Sequence, residues 1–345
     1  MAVTPVEQDG SQELELLERA RGMVDPVLRA AVGALPPAMR RICGYHLGWW
    51  DREGVAEQGS GGKAIRPALV LAAARAARGQ GAQAARAGAA VELVHNFTLL
   101  HDDVIDNDLM RRHRPTAWSA FGVPDAIMAG DAMQALATRL LAQDPHPAAA
   151  AASARLSACV IEVCEGQHAD CAFEGRDDVG LAECLAMAEA KTGALLGCAC
   201  ALGALYAGAP EPVVETLDAF GRQLGLGFQL IDDLLGIWGD PSVTGKPVGA
   251  DLAAAKKSLP VVAALTSGTA PGNELAALYA GGPILEHDLP HAVELLEHAG
   301  ARIWAQNQAT SRISQALDHL AHAFPDPGSV DELLALAELV TRRDS

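Results

Sequence analysis

Two aspartate pairs, Asp102-Asp103 and Asp232-Asp233, stand 130 positions apart, each at the end of an apolar, helix-like run and close to basic residues. The first continues through Val104-Ile105 to Asp106 and is followed by Arg111-Arg112, so carboxylates and guanidiniums crowd one short stretch. Two like charges about 4 Å apart cost on the order of 4 kcal/mol at an effective dielectric of roughly 20. A divalent metal neutralises such a concentration, and the neighbouring cations then suit an anion held on that metal: metal plus phosphate is the chemistry these residues suggest. On a helix Asp102 and Asp106 lie one turn apart on one face and can share metal ions. Asp232-Asp233 can meet them if the two helices are antiparallel neighbours. Mg²⁺ suits the donors, because it takes one or two carboxylates and completes its shell with phosphate oxygens and water. Either pair alone also fits a helix cap or a solvated helix end; the two together favour metal.

The basic residues are unevenly divided, with only five lysines among 26 Lys and Arg: Lys63, Lys191, Lys246, Lys256 and Lys257. Where Lys persists in an Arg-rich chain, a compact ammonium acting as a point charge on phosphate is a reason to keep it. Lys63 and Arg66 flank a loop-to-helix junction, Gly61-Gly62-Lys63-Ala64-Ile65-Arg66-Pro67, where helix N-terminal amides and both side chains can address an anion. The competing reading is a glycine loop with incidental charges. His95 precedes Asp102 by seven positions and shares roughly its face, although a core histidine would look the same.

Stepping outward to the elements that must position these groups, Ala and Leu abound while aromatics are 4% of the 345 residues. This favours an all-α fold, and with half the residues hydrophobic a large core is available. Helical patterns run from Ala64 to about Ala77, from about Ala82 into the first aspartates, from Ala148 to Phe173, Val179 to Tyr206 and Val213 to Trp238. Asp25-Pro26 and Pro36-Pro37 punctuate the first helices, Arg111 to Val123 reads as a loop, and Gly239 to Gly249 as another. No repeat, useful strand pattern or linker is present, so residues 1–345 read as one helical-bundle domain with a polar, flexible lead over residues 1–12.

The net charge of -17 argues against nucleic-acid binding, since a surface tracking phosphates needs clustered positive charge. Seven cysteines without zinc-type or paired spacing read as small buried residues with no structural disulfide. No basic segment followed by an apolar run opens the chain, so a cytoplasmic location is expected. The uncharged stretch Thr192 to Pro210 reads as a buried core helix rather than a membrane span, because Gly, Ala and Cys dominate it.

The segment Gly62 to Pro67, the run Val91 to Asp106 (VELVHNFTLLHDDVID) and Arg111 to Thr116 (RRHRPT) resemble the trans-isoprenyl diphosphate synthases, the polyprenyl synthetase family. Gly166-Gln167, Lys191-Thr192-Gly193, Phe228 to Asp233, Gly245-Lys246-Pro247 and Asp251 to Pro260 extend the match, in order, over about residues 60–265. The resemblance implies an isoprenoid-synthase helical bundle with a central active-site cavity, and a set of site residues follows from it. Asp102, Asp106 and Asp232 would bind Mg²⁺, three ions per site, with Asp103 and Asp233 supporting them. Arg111, Lys191 and Lys256 would bind the allylic diphosphate and Lys246 would close over it. Lys63, Arg66, His95 and Arg112 would bind the diphosphate of isopentenyl diphosphate, and Thr192 and Gln229 would line the place where positive charge develops. A homodimer is also implied. One departure stands out: Gly236 occupies the position of the usual third aspartate of the second motif, so that half of the metal site is one carboxylate poorer, with Asp240 near it in sequence.

In the family, an aromatic at Phe97, a small residue at Thr98 and no insertion in the aspartate motif resemble short-chain synthases ending near geranylgeranyl diphosphate, with farnesyl diphosphate the alternative product. Phe97 as plain core packing is the competing reading. A terpene cyclase would need an Asn/Asp, Ser/Thr, Glu series that Asp232 to Asp240 lacks. A non-catalytic prenyl-diphosphate-binding subunit is the other class, motivated by Gly236.

Overall fold

The computed structural model describes residues 9–57, 62–239, 249–282 and 284–341. The fold is all-α, and its described strands form a single two-stranded hairpin. Two compact units emerge, one built from Met1–Val160, Cys198–Asp218 and Ala323–Leu336, the other from Ile161–Gly197, Ala219–His322 and Ala337–Ser345.

In the first unit α1 (Asp9–Gly33) begins inside the polar lead and runs straight through Pro26, where the sequence pattern suggested punctuation. An interior proline costs a hydrogen bond and some 3 kcal/mol. It is carried here by a stripe of Leu16, Leu17, Ala20, Val24, Leu28 and Val32, all buried at helical spacing. Helix α2 (Pro37–His46) starts on a proline, which suits a first turn. Helix α3 (Ile65–Ala76) is buried nearly all round and is approached closely by Gly203, where an added Cβ would overlap the Val70 carbonyl. Helix α4 (Ala85–Ile105) carries the first aspartates and packs against α1 and α3.

The stretch read as a loop after α4 is ordered. Strands β1 (Met110–Arg111) and β2 (Arg114–Pro115) form an antiparallel hairpin whose turn residues, Arg112 and His113, take φ of 51° and 62°. It is followed by α5 (Ala117–Phe121) and α6 (Val123–Ala142), which packs along α4.

Three long helical runs follow: α7 (Ala149–Glu174), then α8 (Leu181–Ala188) joined to α9 (Ala194–Tyr206) through a π-turn at Glu189–Gly193, then α10 (Glu211–Trp238). The run Leu181–Tyr206 is long and apolar enough to cross a membrane by length and composition, yet 67% of its most apolar window is buried within the protein, the pattern of a core helix. In the second unit Phe173, Met187, Leu226, Leu230 and Leu259 form one core cluster, and Ile237, Leu252, Val261, Leu275 and Leu296 another. All seven cysteines are unbridged and five are buried.

Candidate active site: two polar clusters

In the first unit, Gly62 and Lys63 lead into α3 through Ala64, whose φ of 57° turns the chain sharply. The Gly62 carbonyl accepts from Arg21 Nη2 at 2.8 Å, and a Cβ at Gly62 would lie 3.0 Å from Arg112 Nη2. The glycine therefore lets the Lys63 loop close onto the hairpin guanidinium. His95 on α4 is partly buried near Arg66, Arg112 and Arg111; desolvation first, then those charges, hold its imidazole well below its ordinary pKa. His95 is thus a neutral hydrogen-bonding group in a cationic pocket.

Asp102 and Asp106 stand one turn apart, and the Asp106 N–H donates to the Asp102 carbonyl at 2.8 Å, so α4 keeps helical register through both. Both are partly exposed. Asp103 differs: it is 1% exposed, and its Oδ1 accepts from Arg111 Nε at 2.6 Å. Burial pushes its carboxyl up to about 6 against the opposing pull of Arg111. The hairpin bearing Arg111 and Arg112 is braced by Tyr45 Oη donating to the Pro115 carbonyl at 2.7 Å and by Thr116 Oγ1 and Trp118 Nε1, each donating to the Asp108 carbonyl at 2.8 Å.

Sequence reasoning missed Glu92, a buried carboxylate near Arg66 and Arg112. Asn96 Nδ2 donates to its Oε1 at 3.0 Å. The signal was available, because a lone Glu interrupts the apolar run Ala87 to Val94, and an unpaired buried charge is too costly to keep.

His46, at the end of α2, also lies against these arginines, and burial is the main cause that lowers its pKa to about 3. The unfolded chain, with a histidine near 6.5, takes up a proton that the folded chain refuses. His46 therefore costs stability increasingly as pH falls from about 6.5 toward 3, by at most about 1.4 kcal/mol per pH unit. Glu92 and Asp103 have raised values and act in the opposite direction on acidification, so the variant comparison isolates the histidine. Between pH 7 and 5 the wild type should lose about 2 kcal/mol more than His46→Gln in urea unfolding; parallel pH profiles would contradict a neutral His46.

In the second unit the polar groups form a connected chain. Thr192 Oγ1 donates to Gln229 Oε1 at 2.7 Å, Gln229 Nε2 donates to Asp233 Oδ1 at 2.7 Å, and Asp233 Oδ2 accepts from the Leu259 N–H at 2.9 Å. Lys191 Nζ donates to Asp170 Oδ2 at 2.6 Å. Asp170, Lys191, Gln229, Asp233 and Lys256 line a cavity of about 190 Å³. Asp170 was missed because its only sequence signal is its place on the turn of α7 after Gly166-Gln167. Asp232, next to the buried Asp233, is partly exposed on α10, which also carries Gly236. Lys246 and Asp240 lie outside the described residues.

Lys191 and Thr192 sit on the π-turn, a feature that often marks functional sites. Backbone contacts hold it: a Cβ at Gly166 would overlap the Lys191 amide nitrogen, and one at Gly225 would lie 2.7 Å from Gly193 Cα. Lys257, grouped by sequence with the other lysines, turns inward; its Nζ donates to the Phe173 carbonyl at 3.0 Å, a cation at the C-terminal end of α7.

Among the described residues no three His, Cys, Asp or Glu side chains converge into an all-protein metal cage. Hard carboxylate donors with open positions fit an ion such as Mg²⁺ that completes its shell with phosphate oxygens and water.

An all-α fold bearing aspartates on α4 and α10 and two separate sets of cations defines a class, and the polyprenyl synthetase family model matches residues 54–296. The chain belongs to the polyprenyl synthetase family. It is 48% identical over 331 residues to a geranylgeranyl diphosphate synthase of Mycobacterium tuberculosis, covering 95% of this chain and 93% of the relative. A (2E,6E)-farnesyl diphosphate synthase of Mycobacterium bovis is 45% identical over 337 residues, covering 96% and 94%. The crystal structure of a polyprenyl synthetase from Streptomyces coelicolor A3(2) superposes with a TM-score of 0.89 at 42% identity, covering 94% of this chain and 98% of that one.

Proposed function

We propose that this protein is a Mg²⁺-dependent trans-prenyltransferase that condenses isopentenyl diphosphate with an allylic diphosphate, ending at geranylgeranyl diphosphate. The observation that carries this reading is the presence of two cation sets on separate carboxylate-bearing scaffolds: Lys63, Arg66 and Arg112 with α4, and Lys191 and Lys256 with α10. An enzyme acting on one diphosphate has no use for the second set. The single family match across residues 54–296 supports one catalytic domain.

In this reading Asp102, Asp106 and Asp232 bind three Mg²⁺ ions, which when bound neutralise charge on the departing diphosphate. Arg111, Lys191, Lys256 and Lys246 hold the allylic diphosphate, while Lys63, Arg66, Arg112 and neutral His95 hold isopentenyl diphosphate. Fixing both diphosphates supplies the orientation of the two reacting carbons. Thr192 presents its hydroxyl oxygen, oriented by the Gln229 bond, to the developing allylic cation. The isopentenyl double bond attacks that cation, and the released diphosphate takes the proton. The enzyme is a homodimer in this reading, supported by the exposed apolar Val123, Ile127 and Met128 on α6; sedimentation at a single protomer mass would contradict it.

Phe97 is 8% exposed and meets His101 edge to face at 4.9 Å between ring centres, which suits a rigid floor for the growing chain. Incubation with isopentenyl and dimethylallyl diphosphates plus Mg²⁺, followed by product chromatography, tests the function. Geranylgeranyl product is expected, and Phe97→Ala should add at least one isoprene unit. Farnesyl product would favour the alternative supported by the 45% identical relative. Absence of turnover by folded protein would leave the binding-subunit reading.

A further inference from the structure

Beside the Lys63 loop, to which an adjoining cavity sharing Arg29 and Trp49 leads, α1, α2 and the turn after α2 form a cleft of about 540 Å³ whose lining includes Arg29, Arg40, Arg41, Trp49 and Trp50 and no carboxylate. In a chain with 43 acidic and 26 basic residues, three guanidiniums gathered around a carboxylate-free cleft form a local reversal of charge. Two of the chain's five tryptophans join them. The Arg29 guanidinium stacks over the Trp49 ring at 4.5 Å, and the two indoles meet edge to face at 5.9 Å. Arg41 donates through Nε to the Arg52 carbonyl at 2.9 Å, and Trp50 Nε1 donates to the Arg41 carbonyl at 2.8 Å, so the walls are held in place. Among the described residues Arg40 makes no side-chain hydrogen bond or ion pair, and it is exposed at the cleft.

We propose that this cleft binds an organic diphosphate. Guanidiniums take phosphate oxygens in bidentate fashion. The volume exceeds what a bare diphosphate needs and falls in the range of small-molecule pockets, and the indole faces suit a flat or hydrocarbon group attached to it. A nucleotide and a prenyl diphosphate share this chemistry. The site is independent of the catalytic reading above, since none of its lining residues belongs to the aspartate or lysine motifs. It is tied to the hairpin, because the Trp50 carbonyl accepts from Arg114 Nη2 at 3.0 Å.

Titration calorimetry of the full-length protein without divalent metal, using ADP, geranyl diphosphate and inorganic diphosphate as probes, tests this. ADP or geranyl diphosphate should bind saturably, at least tenfold more weakly to Arg40→Glu and at least fivefold more weakly to Trp49→Ala. Arg112→Ala, in the proposed isopentenyl diphosphate site, should leave the Arg40-dependent binding unchanged. Tighter binding of ADP names the nucleotide as the source and tighter binding of geranyl diphosphate the prenyl compound; either supports the proposal. No saturable heat at millimolar probe, equal affinity in Arg40→Glu, loss in Arg112→Ala, or inorganic diphosphate binding as tightly as both organic probes would overturn it.

Discussion

Asp102→Asn should lower Mg²⁺-dependent kcat/KM about a thousandfold while leaving the fold intact, because removing one group that stabilises transition-state charge costs roughly 3–4 kcal/mol. The side chain is partly exposed and the substitution nearly isosteric, so stability should hardly change. Its neighbour should behave differently. Asp103 is buried and engages Arg111 at 2.6 Å, so Asp103→Asn acts by loosening a guanidinium; it should raise KM for the allylic diphosphate and lower stability. Steady-state kinetics over a Mg²⁺ titration, with thermal unfolding of both variants, separates these patterns. More than a tenth of wild-type turnover in Asp102→Asn would remove that residue from the proposed metal site.

Gly166→Ala should damage both stability and turnover in the second unit. The added Cβ would meet backbone atoms of Ala190 and Lys191, two of them at 2.9 Å, and backbone cannot step aside as a flexible side chain can. Overpacking of this kind costs about 2–3 kcal/mol, a fall in Tm of about 3–4 °C for a chain of this size. Because the displaced segment carries Lys191 and Thr192, turnover should fall by about two orders of magnitude. Gly175→Ala, where an added Cβ meets nothing within 4 Å, is the control. A Gly166→Ala protein with wild-type Tm and turnover would show that the π-turn tolerates displacement.

The charged residues of both clusters were legible because Asp, Lys and Arg stand out against an Ala- and Leu-rich background, and their spacing tells which face each occupies. Their partners were not. Nothing local links Lys191 to Asp170, 21 positions away, or Thr192 to Gln229, since a helical period specifies direction and not the neighbouring helix. Lys257, the one lysine to which the resemblance gave no role, turns away from its neighbour Lys256 and faces the end of α7. The helix through Pro26 and the hairpin at Met110–Pro115 were read as breaks because proline and polar composition dominate a local reading. Tertiary burial of the α1 stripe and the side-chain braces from Tyr45 and Thr116 decide otherwise.

The inward turn of Lys257 also bears on chemical labelling. The chain has five lysines, and one is sealed with its ammonium on the Phe173 carbonyl. The other four all lie in segments proposed to grip diphosphate. An amine-acylating reagent, which on most proteins reports general surface, would here report substrate occupancy, residue by residue.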